Sequence, residues 1–152
     1  MKWDIQLDGQ MTNLAIGIDP GVNTGLAIWD IDEKRFTDIR TDSILAIIDR
    51  LKNDYLYKDD ISIVLVVEDA RKRTYFGKTG RERLKGAGSV ERDCKIWEEF
   101  CELYGVRLYL IHPKNNKTKL NAEQFTRITG YTGRTSVHSR DAAMLVYKWN
   151  KL

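Results

Sequence analysis

Short apolar runs in the first half of the chain predict strands, because each is only six or seven residues long. The runs at residues 14–19 (LAIGID) and 26–31 (LAIWDI) flank the turn sequence GVNTG, and the pair therefore predicts a β-hairpin. Residues 35–40 predict a third strand. Residues 61–67 (ISIVLVV) are mostly β-branched without a break, which is typical of a central strand covered on both faces.

Helical spacing of apolar residues predicts four helices, at residues 44–51, 89–104, 119–129 and 136–149. The second is the clearest, since apolar side chains recur at i, i+4, i+7, i+11 and i+14 from Val90 to Tyr104. Residues 106–111 predict one more strand between the second and third helices. The order βββαβαβαα predicts an α/β fold, in which helices flank a mixed sheet with an antiparallel hairpin and parallel strands.

Composition is that of one globular domain, since 42% of the 152 residues are hydrophobic and 31% are charged. We expect this domain at residues 13–152, after an N-terminal extension at residues 1–12. No apolar run reaches membrane-spanning length and the N-terminus has no signal-peptide pattern, so we expect a cytoplasmic protein with no membrane partner. Cys94 and Cys101 lie seven residues apart on a predicted helix, which is too far for a disulfide, so both should be reduced core residues.

Positive charge is concentrated in two blocks, although the formal net charge is only +3. Residues 71–85 contain seven Lys or Arg and one acid, and residues 114–140 contain six Lys or Arg and one acid. Residues 1–70 are acidic, with fourteen Asp or Glu against seven Lys or Arg. Separated basic blocks on a nearly neutral chain indicate a surface for a polyanion, or alternatively two solvated loops.

Three acids lie at the end of an apolar strand or on the apolar face of a helix. Asp19 and Glu68 end apolar strands, and Asp141 follows His138 by three residues, on one face of the last predicted helix. If that helix packs across the strand ends, the three carboxylates converge, and they need a cation to stay ionised together. Carboxylate clusters favour Mg²⁺ or Mn²⁺, and two such ions about 4 Å apart activate water for phosphodiester cleavage.

Each of these residues also has an ordinary structural interpretation. Asp19 precedes a Pro-Gly turn, and aspartate is a common turn residue. Glu68 could pair with an arginine of the following loop, and Asp141 could be a favourable charge near a helix N-terminus. His138 could form a hydrogen bond near the helix cap, or could move a proton near a phosphate.

The segments GIDPGVNTGLAIWD, VLVVED and HSRDA occur in this order along the chain. Together they resemble RuvC-type Holliday junction resolvases, which have an RNase H-like fold, over most of residues 14–149. The resemblance implies that Asp19, Glu68 and Asp141 bind two Mg²⁺ ions, which Mn²⁺ would replace, and that His138 is the fourth catalytic residue. A compact member of this kind would suit a bacteriophage, and would then act in the infected cell.

The resemblance also implies a substrate and an assembly. RuvC-type enzymes cut four-way DNA junctions as homodimers, with one nick in each of two symmetric strands, and the helix at 89–104 would lie at the dimer interface. Tyr75 and Phe76 would stack on an unpaired base, and Lys119 would lie near the scissile phosphate. The remaining expected DNA contacts are Arg71, Lys72, Arg73, Lys78, Arg81, Lys114, Lys117, Arg134 and Arg140.

Other functions remain open on the sequence alone. The same fold could cut RNA–DNA hybrids, flaps or forks, and a non-catalytic protein could bind junctions without cutting them. The intact set of acids argues against a pure binder, because carboxylates beside phosphates only weaken binding. An actin-like kinase is excluded by length, since its two domains need more than 152 residues.

Overall fold

The computed structural model describes residues 9–72, 81–116 and 119–152, and it leaves out the side chains of residue 72 and residues 81–87. Five strands form one sheet in the order β3-β2-β1-β4-β5. Their bounds are Thr12–Asp19 for β1, Asn23–Asp30 for β2, Arg35–Ser43 for β3, Ile61–Glu68 for β4 and Arg107–Ile111 for β5. The first predicted strand therefore begins two residues earlier, at Thr12.

β1 lies at the centre of the sheet and is the strand where the two kinds of pairing meet. It pairs antiparallel with β2 and parallel with β4, and β4 pairs parallel with β5. The predicted mixed α/β sheet flanked by helices is confirmed. Because β1 and β4 run in the same direction, their carboxyl ends lie at the same edge of the sheet.

Four α-helices complete the described fold: Ile44–Asp54 is α1, Arg81–Tyr104 is α2, Ala122–Thr129 is α3 and Val137–Val146 is α4. Single 3₁₀ turns lie at Ala70–Lys72 and Pro113–Asn115. Several boundaries differ from the prediction by two or three residues, and that of α2 differs by more. α2 begins eight residues before Ser89, in a stretch without an apolar stripe, and α4 ends three residues before Trp149.

Two apolar layers cover the two faces of the sheet. One contains Ile16 and Ile18 of β1 and packs against α1 and α2 through residues such as Leu51 and Trp97. The other contains Ala15 and packs against α3 and α4. Alternate residues of β4 also enter opposite layers, which confirms that the unbroken apolar run is a strand buried on both faces. Within the described ranges, no helix is long and apolar enough to cross a membrane.

Candidate active site

The register of the sheet brings the first two acids together. Ile18 of β1 pairs with Val67 of β4, so the next residues, Asp19 and Glu68, are neighbours at one edge of the sheet. Asp19 is 8% exposed and Glu68 is fully buried. A carboxylate costs free energy when it leaves water, so two at adjacent strand ends indicate a specialised site.

Two glycines allow α4 to lie directly on the sheet beside these acids. A Cβ atom on Gly17 would overlap the carbonyl oxygen of Ala142, and one on Gly25 would overlap that of His138. Only glycine permits so close an approach of strand and helix backbones. α4 therefore presents His138 and the buried Asp141 next to the end of β1.

The N-terminus of α4 is fixed by hydroxyl groups. Ser136 is the N-cap, and its side chain accepts a hydrogen bond from the backbone N–H of Ser139 in a capping box. The Ser136 Oγ lies 2.5 Å from Thr41 Oγ1 of β3. The sequence prediction of a helix start near Ser136 is thus correct, and the cap links α4 to the sheet.

His138 contacts Asp19, since its Nδ1 lies 3.1 Å from Asp19 Oδ2 while half of the His138 side chain remains exposed. Burial raises the pKa of Asp19 to about 6, against the lowering effect of the hydrogen bond with His138. Glu68 and Asp141 raise this pKa further through charge repulsion. The three acids that the sequence singled out therefore interact electrostatically in the folded chain.

Asn116 is a residue that sequence reasoning missed. Its Nδ2 donates to Glu68 Oε2 at 3.0 Å and to the backbone oxygen of Asp141 at 3.2 Å, so it bridges two candidate ligands. Its Oδ1 is buried and has no hydrogen-bond partner among the described residues. Nothing in the polar tract after Pro113 distinguishes Asn116 from an ordinary turn residue.

Lys119 lies beside the same site, as expected. Its backbone N–H donates to Asp141 Oδ1 at 3.0 Å, and its Nζ lies 3.9 Å from Asp141 Oδ2. Its φ of 63° is in the left-handed region, which costs free energy for a residue with a side chain. This backbone turn brings both the N–H and the ammonium group of Lys119 toward Asp141.

Arg71 has a structural role that was not expected. Its Nε donates to the buried Asp69 at 2.8 Å, and its Nη2 donates to Glu98 of α2 at 2.7 Å. These two carboxylates hold the pKa of Arg71 above its ordinary value through hydrogen bonds. Arg71, predicted as a DNA contact, therefore joins the end of β4 to α2 through its pairing with Asp69 and Glu98.

The other predicted DNA contacts fall into three groups. Lys114, Lys119 and Arg134 are exposed. Arg140 is a correction, because it is buried and donates to the backbone oxygens of Leu120 and Thr135, so it supports the fold. Outside the described residues or side chains lie Lys72, Arg73, Tyr75, Phe76, Lys78, Arg81 and Lys117.

The donor atoms of this site fit a hard divalent cation, since they are carboxylate oxygens together with the buried amide oxygen of Asn116. Within the described part of the chain, however, no three His, Cys, Asp or Glu side chains are spaced to hold a metal ion. Ionised carboxylates repel one another without a cation, and Glu68 and Asp141 accept protein hydrogen bonds instead. The donor chemistry of the described residues therefore fits a divalent cation, whereas the present spacing of their side chains does not coordinate one.

Neither a protein-family model nor a curated protein matches the chain. Two solved structures of Thermus thermophilus RuvC do. The one described as a complex with a Holliday junction substrate superposes with a TM-score of 0.56 at 16% identity, over 89% of this chain and 90% of RuvC. The second gives a TM-score of 0.57 at 15% identity, over 88% and 92%. At such identities the likeness shows the fold alone, and the chain has the fold of the RuvC Holliday junction resolvases, as its motifs predicted.

Proposed function

We propose that this protein is a metal-dependent endonuclease that resolves four-way DNA junctions. One observation supports this most directly: Asp19, Glu68 and Asp141 are buried, and burial and mutual charge repulsion raise the pKa of Asp19 at one edge of a RuvC fold. Burial of three interacting acids has no evident benefit for stability, because each loses its hydration. A role in holding cations at a reaction centre explains that cost.

Asp19, Glu68 and Asp141 would hold Mg²⁺ or Mn²⁺, two ions per site, with the Asn116 amide fixing the orientation of Glu68. The ions, when bound, would lower the pKa of a water molecule and stabilise negative charge on phosphate oxygens. His138, which is half-exposed and contacts Asp19, would accept or donate a proton at its ring nitrogen. The exposed ammonium group of Lys119 would bind the phosphate beside Asp141.

The substrate and the assembly belong to the same proposal. The Lys and Arg residues at 72–85 and the exposed Lys114 and Arg134 would bind DNA backbones. Two copies of the chain would then place two nicks symmetrically across one junction. The RuvC structure that superposes on this chain is described as bound to a Holliday junction, which supports the choice of a branched substrate.

The test uses end-labelled four-way junctions, linear duplex and RNA–DNA hybrid, each incubated with the protein in Mg²⁺ and in EDTA. Paired nicks in the junction alone, and only with Mg²⁺, are the expected result. Selective cutting of the hybrid would instead indicate an RNase H-like activity. Tight junction binding without any cutting in Mg²⁺ or Mn²⁺ would indicate a binding protein.

Substitutions assign the activity to the site. Asp19→Asn, Glu68→Gln and Asp141→Asn should each lower cutting at least about a thousandfold while leaving junction binding in EDTA nearly unchanged. Asp30→Asn is the matched control, because Asp30 is an equally buried aspartate that caps a turn at the other end of β2. Normal turnover in one of the first three variants would remove that residue from the site.

A further inference from the structure

A second site lies at the opposite end of the sheet from the three acids. A cavity of about 620 Å³ is formed by the end of β2, the start of β3 and the segments that follow α3 and α4. Trp29, which lines it, pairs with Ala15 of β1, four residues before Asp19. At about 3.3 Å per strand residue, the cavity lies roughly 13 Å along the sheet from the carboxylates. Its volume is in the range of small-ligand sites.

Aromatic rings dominate the lining of this cavity. They belong to Trp29, Phe36, Tyr131, Tyr147 and Trp149. Trp29 is buried at its base, and the other four are partly exposed. The Phe36 and Tyr147 rings are nearly parallel, with centroids 6.1 Å apart, and Trp29 meets both of them edge to face. Rings held in this way present a rigid surface on which a planar group can stack at little entropic cost.

The charged side chains of the described lining are all positive. Lys34, Arg35 and Lys148 line the cavity and are exposed, and the described lining contains no Asp or Glu. Lys34 and Lys148 have φ values of 54° and 60°, a conformation that favours glycine or asparagine. Lys148 Nζ lies 5.3 Å from the centroid of the Tyr147 ring, so one cation already stands over an aromatic face of the cavity. Three exposed cations with no acid among the described lining residues favour an anion as the ligand.

We propose that this cavity binds one nucleotide of a single strand, with its base against the aromatic rings and its phosphate among the three cations. Aromatic surfaces beside cations are the usual combination for single-stranded nucleic acid, because every base has a stacking face and every linkage has a charge. The side-chain amide of Asn150, also in the lining, offers the donor and acceptor that a base edge requires. An acidic peptide would use the cations, but its carboxylates offer no planar ring to stack on the aromatic side chains.

This inference concerns binding alone and does not depend on the hydrolytic activity proposed above. The cavity adjoins α3 and α4, whereas α2 covers the opposite face of the sheet. Trp97 of α2 is therefore a reporter for that opposite face, and Trp29 and Trp149 are reporters for the cavity. These three indole N–H groups can be followed separately, beside that of Trp3, in one ¹⁵N spectrum.

The experiment titrates the ¹⁵N-labelled protein in EDTA with thymidine 5′-monophosphate, deoxyribose 5-phosphate and a five-residue oligothymidylate. Shifts of the Trp29 and Trp149 indole signals with an unshifted Trp97 signal are expected for the mononucleotide and the oligonucleotide. Deoxyribose phosphate should bind about tenfold or more weakly, because it lacks the stacking base. If the oligonucleotide binds more tightly than the mononucleotide, the natural ligand is a nucleic acid strand. If the two affinities are equal, the natural ligand is a free nucleotide.

Variants localise the binding without disturbing the aromatic core. Lys34→Asn with Lys148→Asn removes two charges and suits the left-handed backbone, so the protein should fold normally and lose about tenfold in affinity. Lys52→Gln with Lys95→Gln is the matched control, since it removes two exposed charges from α1 and α2. The proposal fails if the two double variants bind the oligonucleotide with equal affinity, or if the Trp97 indole signal shifts together with those of Trp29 and Trp149. It also fails if an acidic peptide of equal charge binds more tightly than the oligonucleotide.

Discussion

Gly25 of β2 lies directly beneath His138 of α4, so close that a Cβ atom on the glycine would overlap the histidine carbonyl oxygen and carbon. This contact sets the height of α4 above the sheet. It places the His138 ring against Asp19 and positions Asp141 beside the ends of β1 and β4. The geometry of the candidate active site thus depends on a residue that has no side chain.

Gly25→Ala should displace the start of α4 and disorganise the acids. We expect a loss of about 2 kcal/mol or more in the free energy of unfolding, since two backbones must separate to admit one methyl group. Junction cutting should fall by more than the stability loss explains. Urea denaturation together with cleavage assays measures both effects.

Gly88→Ala is the control for this substitution. Gly88 is an exposed residue of α2, and a Cβ atom there would meet nothing within 4 Å. Alanine favours the helix, so this variant should be more stable by up to about 1 kcal/mol and keep its activity. A Gly25→Ala variant as stable and active as the Gly88→Ala variant would contradict the role given to Gly25.

The raised pKa of Asp19 predicts how the stability of the metal-free protein depends on pH. The folded-state pKa is about 6 and the ordinary value is 3.8, so folding favours the protonated acid. The resulting stability is complete below pH 3.8 and is lost as pH rises through 6. The loss at pH 7.5 is about 2–3 kcal/mol for a shift of this size. Thermal unfolding in EDTA between pH 3.5 and pH 7.5 measures it.

Asp19→Asn should remove most of this pH dependence and raise the melting temperature above pH 6. Mg²⁺ should stabilise the wild-type protein at pH 7.5 more than it stabilises this variant, because the variant has lost a ligand. If the melting temperatures of the two proteins changed in parallel with pH, Asp19 would not be the group that titrates.

Arg71 should affect stability more than DNA binding. Arg71→Ala removes a bidentate partner of the buried Asp69 and the link to Glu98, which should cost about 1–3 kcal/mol. The dependence of junction affinity on salt should stay nearly the same. Replacing Lys72 and Arg73 with Gln together should instead lower the slope of log K against log salt by about 2, since two phosphate contacts are lost. If Arg71→Ala alone reduced the slope of log K against log salt, Arg71 would contact DNA.

The two cysteines should be inert in the folded protein. Burial raises the pKa of Cys101 to about 12 and also raises that of Cys94, and both thiols are free. At pH 8 a thiol with this pKa is ionised in only about one molecule in ten thousand, and the thiolate is the reactive form. Iodoacetamide should therefore label the native protein very slowly and both positions rapidly in guanidinium chloride. Fast labelling of the native state would mean that α2 opens readily.

The local sequence pattern was sufficient to predict the architecture and to identify three of the acids. The unbroken β-branched run before Glu68 is buried on both faces of the sheet. Trp97, Cys101 and Tyr104 of the periodic series in α2 pack into one layer, as their spacing predicted. Asp19 and Glu68 were recognisable because each places a charge at the end of an apolar run. Asp141 was recognisable because helical geometry puts it on the buried face of α4.

Only the tertiary structure decided which polar groups meet across the chain. Asn116 and Glu68 are 48 residues apart, and Arg140 binds backbone oxygens that no sequence pattern identifies. The sequence does not distinguish Arg71 and Arg140 from the exposed lysines, yet both side chains stabilise the fold. Periodicity reports which face of an element is buried, whereas the partner of a polar side chain depends on how separate elements pack. That packing is a long-range property, and here it depends on two glycines that let α4 contact the sheet.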